Sequence, residues 1–207
     1  MKKEYNFSKG VRGKFYNRKG RLNLPIINTF TPEQHREALL RRRIKFVVEK
    51  GAMARLFPAG THKALQNKLF QHIQPDAIAK HQTLGEYDSW LLGKVKLPCW
   101  NRYSRNGIKF DRWSYFGKLI NIVVYEIVSN RELFLEKDWK RIKWFLHLPI
   151  DAKVIAELKK LDPNFPKIQI LKGMTEDQYL NIQTAARSNA ENLKKPSIWF
   201  EAAWSVG

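Results

Sequence analysis

Residues 117–128 read Gly-Lys-Leu-Ile-Asn-Ile-Val-Val-Tyr-Glu-Ile-Val, and this stretch decides the fold. After Lys118 it is apolar on most sides, which is typical of a helix buried at the centre of a domain. Its β-branched residues would also suit a buried strand, but its length and the lack of partner strands in the sequence favour a helix. We therefore predict a mainly α-helical protein built around this central helix.

Threonine capping signals divide much of the remaining chain into helices. A Thr followed three residues later by Glu or Gln forms a capping box, and such pairs at Thr31, Thr83 and Thr175 predict three helix starts. The helix after Thr31 is expected to run towards Gly51, and the helix after Thr83 to stop at Gly93. Further helix starts are predicted at Thr61, Pro75, Glu136, Asp151 and Pro196.

Residues 94–110 are predicted to form a loop, because proline, asparagine and glycine interrupt any helical period there. The loop is basic, and Arg102 and Arg105 are candidate DNA contacts. Its aromatic residues suit stacking on a base, although a long surface connection without that role is the alternative. The candidates for base stacking are Trp100, Tyr103 and, near the end of the sequence, Trp204.

The net charge points to an anionic partner. Lys and Arg number 38 against 19 Asp and Glu, and the formal charge of +19 repels itself unless a polyanion shares it. Double-stranded DNA is the predicted partner, and its binding should weaken steeply with salt. An anionic membrane competes with this prediction, but no apolar run is long enough to span a bilayer. Arg41, Arg42 and Arg43 in the first predicted helix are candidate DNA contacts.

Residues 1–30 are predicted to be a basic N-terminal arm, and residues 31–207 a helical domain for DNA binding and catalysis. In residues 1–26, glycines loosen the backbone and aromatic side chains alternate with cations, a mixture that suits phosphate contact and base stacking. The alternative is a solvated extension whose aromatics pack on the domain. The candidate DNA contacts of the arm are Lys9, Arg12, Lys14 and Arg18.

Cofactors and export signals are not expected. The charged start of the chain is not followed by an apolar segment, so no signal peptide is predicted. The single Cys99 excludes an internal disulfide and a cysteine-rich zinc site, and the histidines lack metal-ligand spacing. We predict no metal, no cofactor and a reducing cytoplasmic location at the nucleoid, and leave the oligomeric state open.

Lys118 and Asp151 are the candidate catalytic residues. A neutral lysine amine can attack C1′ of a deoxyribose, and apolar neighbours and the positive end of a helix dipole both favour the neutral amine. A nearby carboxylate stabilises the positive charge that develops on the sugar and can relay protons. Each residue also has a plainer role, since many such lysines only reach towards solvent and many such aspartates only cap a helix.

Three stretches resemble the helix-hairpin-helix DNA glycosylases. Leu148-Pro149-Ile150-Asp151-Ala152-Lys153-Val154 resembles their Pro-Val-Asp segment closely, and Phe116-Gly117-Lys118-Leu119 resembles the Gly-x-Lys end of their hairpin less well. The Gly-Val-Gly of the common branch is absent. The spacing from Lys118 to Asp151 is similar to that of the archaeal 8-oxoguanine glycosylase branch, and residues 195–204 resemble the helix that closes that branch.

The resemblance covers about residues 83–207 and implies a two-lobed, all-α fold with DNA in the cleft between the lobes. It implies that a damaged base is flipped out and excised, that Gly117 contacts DNA, and that Lys118 forms a Schiff base and nicks the strand. Two other functions fit the charge equally well: a non-enzymatic DNA-binding regulator or architectural protein, and an RNA- or ribosome-associated protein.

Overall fold

The computed structural model describes residues 31–49, 51–162, 165 and 171–205. Throughout these residues the regular secondary structure is helical and no strand occurs, which confirms the predicted mainly α fold. The two-lobed arrangement implied by the resemblance stays a prediction. The four arm residues predicted to contact DNA, Lys9, Arg12, Lys14 and Arg18, lie outside the described residues.

Helical elements follow one another along the described residues. They are α1 (Pro32–Glu49), α2 (Gly51–Ala54), α3 (His62–His72), α4 (Pro75–Ala79), α5 (Leu84–Val95), a 3-10 helix (Pro98–Tyr103), α6 (Ile108–Asp111), a π-helical turn (Arg112–Phe116), α7 (Gly117–Val128), α8 (Glu136–Ile142), α9 (Ala152–Leu161), α10 (Glu176–Asn192) and α11 (Trp199–Ser205).

Helix α7 is the centre of the protein, as its sequence predicts. Leu119, Ile120, Val123, Val124 and Ile127 are completely buried. The helix packs against α1, α4 and α5, and its core side chains belong to one hydrophobic cluster with residues from α1 to α11. Full burial of each such side chain stabilises the fold by about 1.5–3 kcal/mol relative to exposure.

The capping signals place most helix starts correctly. Thr31, Thr83 and Thr175 each accept a hydrogen bond from the backbone N–H three residues later, and the Gln or Glu at that position accepts one in return. Thr61 is the exception, because its hydroxyl donates to the Pro58 carbonyl instead of capping α3. Gly93 does not end α5, which continues to Val95 through an intact backbone hydrogen-bond pattern.

The predicted loop at residues 94–110 is more regular than its composition indicates. It contains the 3-10 helix and the start of α6, and buried Asp111 ties residues 104–106 into a compact turn. The Asp111 carboxylate accepts hydrogen bonds from the Ser104 hydroxyl, from the backbone N–H groups of Arg105 and Asn106, and from the Asn106 amide.

Residues 108–128 form one continuous helix, so the hairpin expected to end at Gly117 is absent. The helix begins after Gly107, whose φ of 92° favours glycine. The π turn then carries the chain into α7 without a break, and the Gly117 N–H donates to the Arg112 carbonyl. A π turn has no clear compositional signal, so the glycine was misread as a helix start.

None of the helices in the described ranges is both long enough and apolar enough to cross a membrane.

Candidate active site

Lys118 and Asp151 lie together in the structure, although 33 residues separate them in sequence. The Lys118 Nζ donates to Asp151 Oδ2 at 2.8 Å. Of the two side chains, 18% of Lys118 and 40% of Asp151 remain exposed, so the pair is partly buried but open to solvent on the carboxylate side. An amine and a carboxylate held at this distance can exchange a proton directly.

Asp151 also caps α9, as its sequence position predicts. Its Oδ1 accepts a hydrogen bond from the Val154 N–H at 2.9 Å, which leaves Oδ2 for Lys118. Burial raises the pKa of Asp151, but the hydrogen bonds from Lys118 and from the helix N–H groups outweigh it, and the pKa of the carboxyl is lowered overall. The carboxylate is therefore fixed in direction and ionised at neutral pH.

Lys118 does not lie at the positive end of a helix dipole, and that prediction is wrong. The dipole acts within the first turn of a helix. Because residues 108–128 are continuous, Lys118 lies about three turns from the helix start. The Lys118 amine instead pairs with Asp151 and interacts electrostatically with Glu201.

One further carboxylate interacts with this pair, and a second interacts with that carboxylate. Glu201 on α11 interacts electrostatically with Lys118, with Asp151 and with Glu126, which lies two turns after Lys118 on α7. Burial, and next the negative charges of Asp151 and Glu126, raise the pKa of Glu201, while Lys118 lowers it. Arg43 Nη1 donates to Glu126 Oε2 at 3.4 Å. Charged side chains of α1, α7 and α11 thus accompany Asp151 at the start of α9.

Asp151 ends residues 145–151, which lack regular secondary structure and which we call the 145–151 segment; residues 146–150 are buried. Side chains rather than a neighbouring strand satisfy its backbone. Gln183 forms two bonds to Leu148, accepting from its N–H and donating to its carbonyl, both at 2.8 Å. Asn121 on α7 donates to the same carbonyl, and Ser197 donates to the Leu146 carbonyl. Buried backbone groups need such partners, so these side chains fix the path of the segment.

His147 in the same segment belongs to a buried polar network. Asp88 is ionised and accepts a hydrogen bond from His147 Nε2 at 2.7 Å and two from Arg187. The His147 Nδ1 accepts from the Tyr179 hydroxyl at 2.7 Å, and the Tyr179 oxygen accepts from Asn121. The donors and acceptors fit a neutral His147 with its proton on Nε2.

Complete burial lowers the pKa of His147, although its bond to Asp88 opposes this. Burial also raises the pKa of Asp88, but the hydrogen bonds from His147 and Arg187 outweigh burial, and the pKa is lowered overall. Burial raises the pKa of Tyr179. Each group therefore keeps one charge state at neutral pH, and the network serves as a rigid support for the 145–151 segment.

The three arginines predicted to contact DNA from α1 have different environments. Arg41 Nε donates to Glu37 and its guanidinium lies 3.6 Å from the Phe70 ring centroid. Arg43 is turned towards α7 by its bond to Glu126. Arg42 is exposed and has no partner among the described residues.

Of the DNA contacts predicted at Arg102, Arg105 and Gly117, only the two arginines are accessible. Arg102 and Arg105 are exposed, and Arg105 donates to the Arg55 carbonyl. Gly117 is buried and its N–H is used inside the helix, so the prediction that Gly117 contacts DNA is wrong.

Two of the three predicted stacking residues are core residues. Trp100 is completely buried, stacks on Phe116 and donates from its indole N–H to the Lys94 carbonyl. Tyr103 is 2% exposed. Neither ring is free to stack on a base, so both predictions are wrong. The side chain of Trp204, in α11, lies outside the described part of the chain.

The supporting residues were missed in the sequence. Asn121 is the polar residue inside the apolar run of α7, a pattern that marks a buried hydrogen-bonding role. Tyr179, Gln183 and Arg187 recur every four residues on α10 and therefore share one face. Glu201 gave no such signal, because a single acid in a short terminal helix is ordinary.

Among the described residues, no group of three or more His, Cys, Asp or Glu side chains is placed to hold a metal ion. Comparisons with protein-family models, with curated proteins and with solved structures found no match to this chain.

Proposed function

We propose that the protein is a DNA glycosylase with strand-nicking lyase activity, in which Lys118 is the nucleophile and Asp151 its proton partner. The observation that carries the proposal is the 2.8 Å contact between Lys118 Nζ and Asp151 Oδ2. The contact joins a partly buried amine to a carboxylate that a helix cap holds in place. Covalent base excision needs this combination of nucleophile and proton acceptor.

The Lys118 ammonium gives its proton to ionised Asp151 as the nitrogen attacks C1′, because the lowered pKa of Asp151 disfavours a separate transfer beforehand. The amine nitrogen bonds to C1′ as the C1′–N bond to the base breaks; the electron pair leaves with the base, which takes the proton from Asp151. The nitrogen then gives a proton to O4′ as the C1′–O4′ bond opens, leaving a protonated Schiff base. Loss of a C2′ proton to ionised Asp151 expels the 3′ phosphate and nicks the strand.

The surroundings of the pair support these roles. The side-chain bonds to the 145–151 segment hold Asp151 in one position, so little reorganisation is needed when the proton moves. Glu201 adds a carboxylate that interacts with both residues of the pair. This charge stabilises the positive character of C1′ as the base departs. The formal charge of +19 supports a nucleic-acid substrate.

The proposal is tested with duplexes that carry one oxidised, alkylated or deaminated base, or one abasic site. We expect wild type to release at least one of these bases and to nick the abasic strand. We expect Asp151→Asn to slow nicking by about 100-fold or more, the usual cost of losing a general acid–base group. Asp177→Asn, the same change at an exposed residue of α10, should nick at the wild-type rate.

Two outcomes would overturn the proposal. One is an Asp151→Asn variant that nicks as fast as wild type. The other is wild-type protein that binds these duplexes but neither releases a base nor cuts the abasic strand.

A second candidate is a DNA-binding protein without catalysis. The observation in its favour is that both oxygens of Asp151 are engaged, one by the helix and one by Lys118. In that case the ion pair only ties α7 to α9. The same assay separates the two candidates, because a purely structural pair predicts tight DNA binding with no product.

A further inference from the structure

A groove between α1 and α3 is lined by more positive charge than the cleft beside α4 and α8. It encloses about 250 Å³. The residues that matter for its chemistry are Arg41, Arg42, Lys45, Lys63, Asn67 and Phe70. Among the residues that the structure describes, no carboxylate lines it. By contrast, a cleft of about 330 Å³ beside α4 and α8 carries Asp76, Glu132 and Asp138 together with Arg36, a lining that favours an anion less.

Part of the positive charge in this α1–α3 groove has no partner. Arg42 and Lys63 are exposed and make no ion pair or hydrogen bond with other described residues. Arg41 uses only its Nε in the bond to Glu37, and its guanidinium lies flat over Phe70, which holds it against the groove wall. Lys45 is only loosely held, at 3.8 Å from Glu49.

We infer that the α1–α3 groove binds the sugar-phosphate backbone of the DNA substrate. This inference rests on the proposed function, since it names the surface that holds the substrate. Arginine and lysine with free donors, together with an amide from Asn67, are the groups that contact phosphate oxygens in nucleic-acid complexes. The volume is below the about 300–1,000 Å³ of a typical small-molecule pocket, which favours an extended chain laid along the groove over an enclosed ligand.

The position of the groove fits this role. Arg43 of the same helix donates to Glu126, which interacts electrostatically with Glu201 near Lys118. Helix α1 therefore contributes residues both to the groove and to the charged groups near Lys118. A strand held in the groove adds phosphate contacts outside the site of base excision, and such contacts raise affinity without reading sequence.

The test measures binding of a fluorescent duplex with one abasic site over a range of salt concentrations. Each lost phosphate contact reduces the slope of log K against log salt by about 0.9. The double variant Arg42→Ala/Lys63→Ala should therefore have a slope smaller by about 1.8 and weaker binding at low salt. Both residues are exposed and unpaired within the described ranges, so the thermal unfolding midpoint should not change.

The matched control is Lys137→Ala/Lys140→Ala, which removes two exposed lysines from α8 and should keep the wild-type slope. The inference is overturned if the groove variant keeps the wild-type slope or if the control loses as much. It is also overturned if the groove variant loses affinity for single-stranded RNA but not for duplex DNA.

The outcome for the groove can be separated from that for catalysis. If the groove variant has a reduced salt slope but the wild-type protein never nicks abasic DNA, the groove binds DNA and the proposed enzymatic activity is rejected. If the wild-type protein nicks abasic DNA but the groove variant keeps the wild-type salt slope, the enzymatic activity stands and DNA binding by the groove is rejected.

Discussion

The Asp151 carboxylate makes two interactions: Oδ1 caps α9, and Oδ2 accepts a hydrogen bond from Lys118. Asparagine caps a helix about as well as aspartate, so Asp151→Asn removes the charge and keeps the cap. Asp151→Ala removes both. Comparing the two variants separates the ion pair from the cap.

We expect Asp151→Asn to lower the free energy of unfolding by about 1 kcal/mol at pH 7, near the value of a partly exposed ion pair. Asp151→Ala should cost about 0.5–2 kcal/mol more, the usual value of an N-cap. Urea unfolding followed by circular dichroism measures both.

The pH dependence has a definite sign. The folded pKa of Asp151 is lowered, so its ionised form stabilises the fold at any pH above the unfolded value of about 3.9, and this stabilisation is lost as the pH falls through the lower folded pKa. The difference in unfolding free energy between wild type and Asp151→Asn should be constant from pH 5 to 8 and shrink below about pH 4. A gap that grows on acidification would contradict the lowered pKa.

Asp151 could be predicted as a helix cap because capping is local: an aspartate precedes a run with helical periodicity. Its contact with Lys118 was a hypothesis from the chemistry of the two side chains and from the resemblance to a known family, since no local pattern reports a contact across 33 residues. Trp100 was misassigned because cations surround it in sequence, whereas its ring turns inward onto Phe116.

At the scale of the element, Gly117 is an interior residue of a continuous helix with φ −56° and ψ −50°. Alanine is favoured over glycine in helices by about 1 kcal/mol. A Cβ at this position would lie 3.4 Å from Tyr179, an ordinary contact.

We therefore expect Gly117→Ala to leave the free energy of unfolding unchanged or to raise it by up to about 1 kcal/mol. DNA binding should not change, because the backbone N–H of residue 117 is already used within the helix. A loss of more than about 2 kcal/mol, or a loss of DNA affinity, would mean that residues 116–118 form the turn of a hairpin after all.

Gln183 is the strongest test of how the 145–151 segment is held. Gln183→Leu leaves the buried Leu148 N–H without its partner, while Asn121 still donates to the Leu148 carbonyl. We expect a cost of about 1–3 kcal/mol in unfolding free energy. Because Asp151 is then less well positioned, kcat for nicking should fall while KM changes little.

Asn181→Leu is the control for Gln183→Leu, since Asn181 is exposed on the same helix, and it should lie within about 0.5 kcal/mol of wild type. If Gln183→Leu is equally mild and nicks at the wild-type rate, the segment is held by other contacts.

The helices themselves were largely predictable because their signals are short-range. Capping boxes at Thr31, Thr83 and Thr175 gave the correct starts. The stops were less predictable: Gly93 lies inside α5 because its neighbours complete the backbone hydrogen bonds around it. The 145–151 segment could not be predicted, since its order comes from side chains of α7 and α10 that are distant in sequence.

At the scale of the whole molecule, the excess of positive charge is shared between the arm and the helical domain. Eight of the basic residues lie in residues 1–26, with Glu4 as the single acid there. If the arm contacts phosphates, its removal lowers the number of counterions that binding releases.

We expect deletion of residues 2–26 to weaken duplex binding at low salt and to reduce the slope of log K against log salt. The unfolding midpoint of the helical domain serves as the control for folding. An unchanged slope would show that the arm does not touch phosphate, and DNA binding would then depend on the helical domain alone.

Covalent trapping on abasic DNA identifies the nucleophile. Wild-type protein is incubated with a duplex that carries one abasic site, reduced with borohydride, digested with protease and analysed by mass spectrometry. We predict a sugar adduct on Lys118 and no adduct with Lys118→Met, while Lys159→Met, an exposed control on α9, still traps. An adduct on any other residue, or no adduct from wild-type protein that binds the duplex, would contradict the role of Lys118.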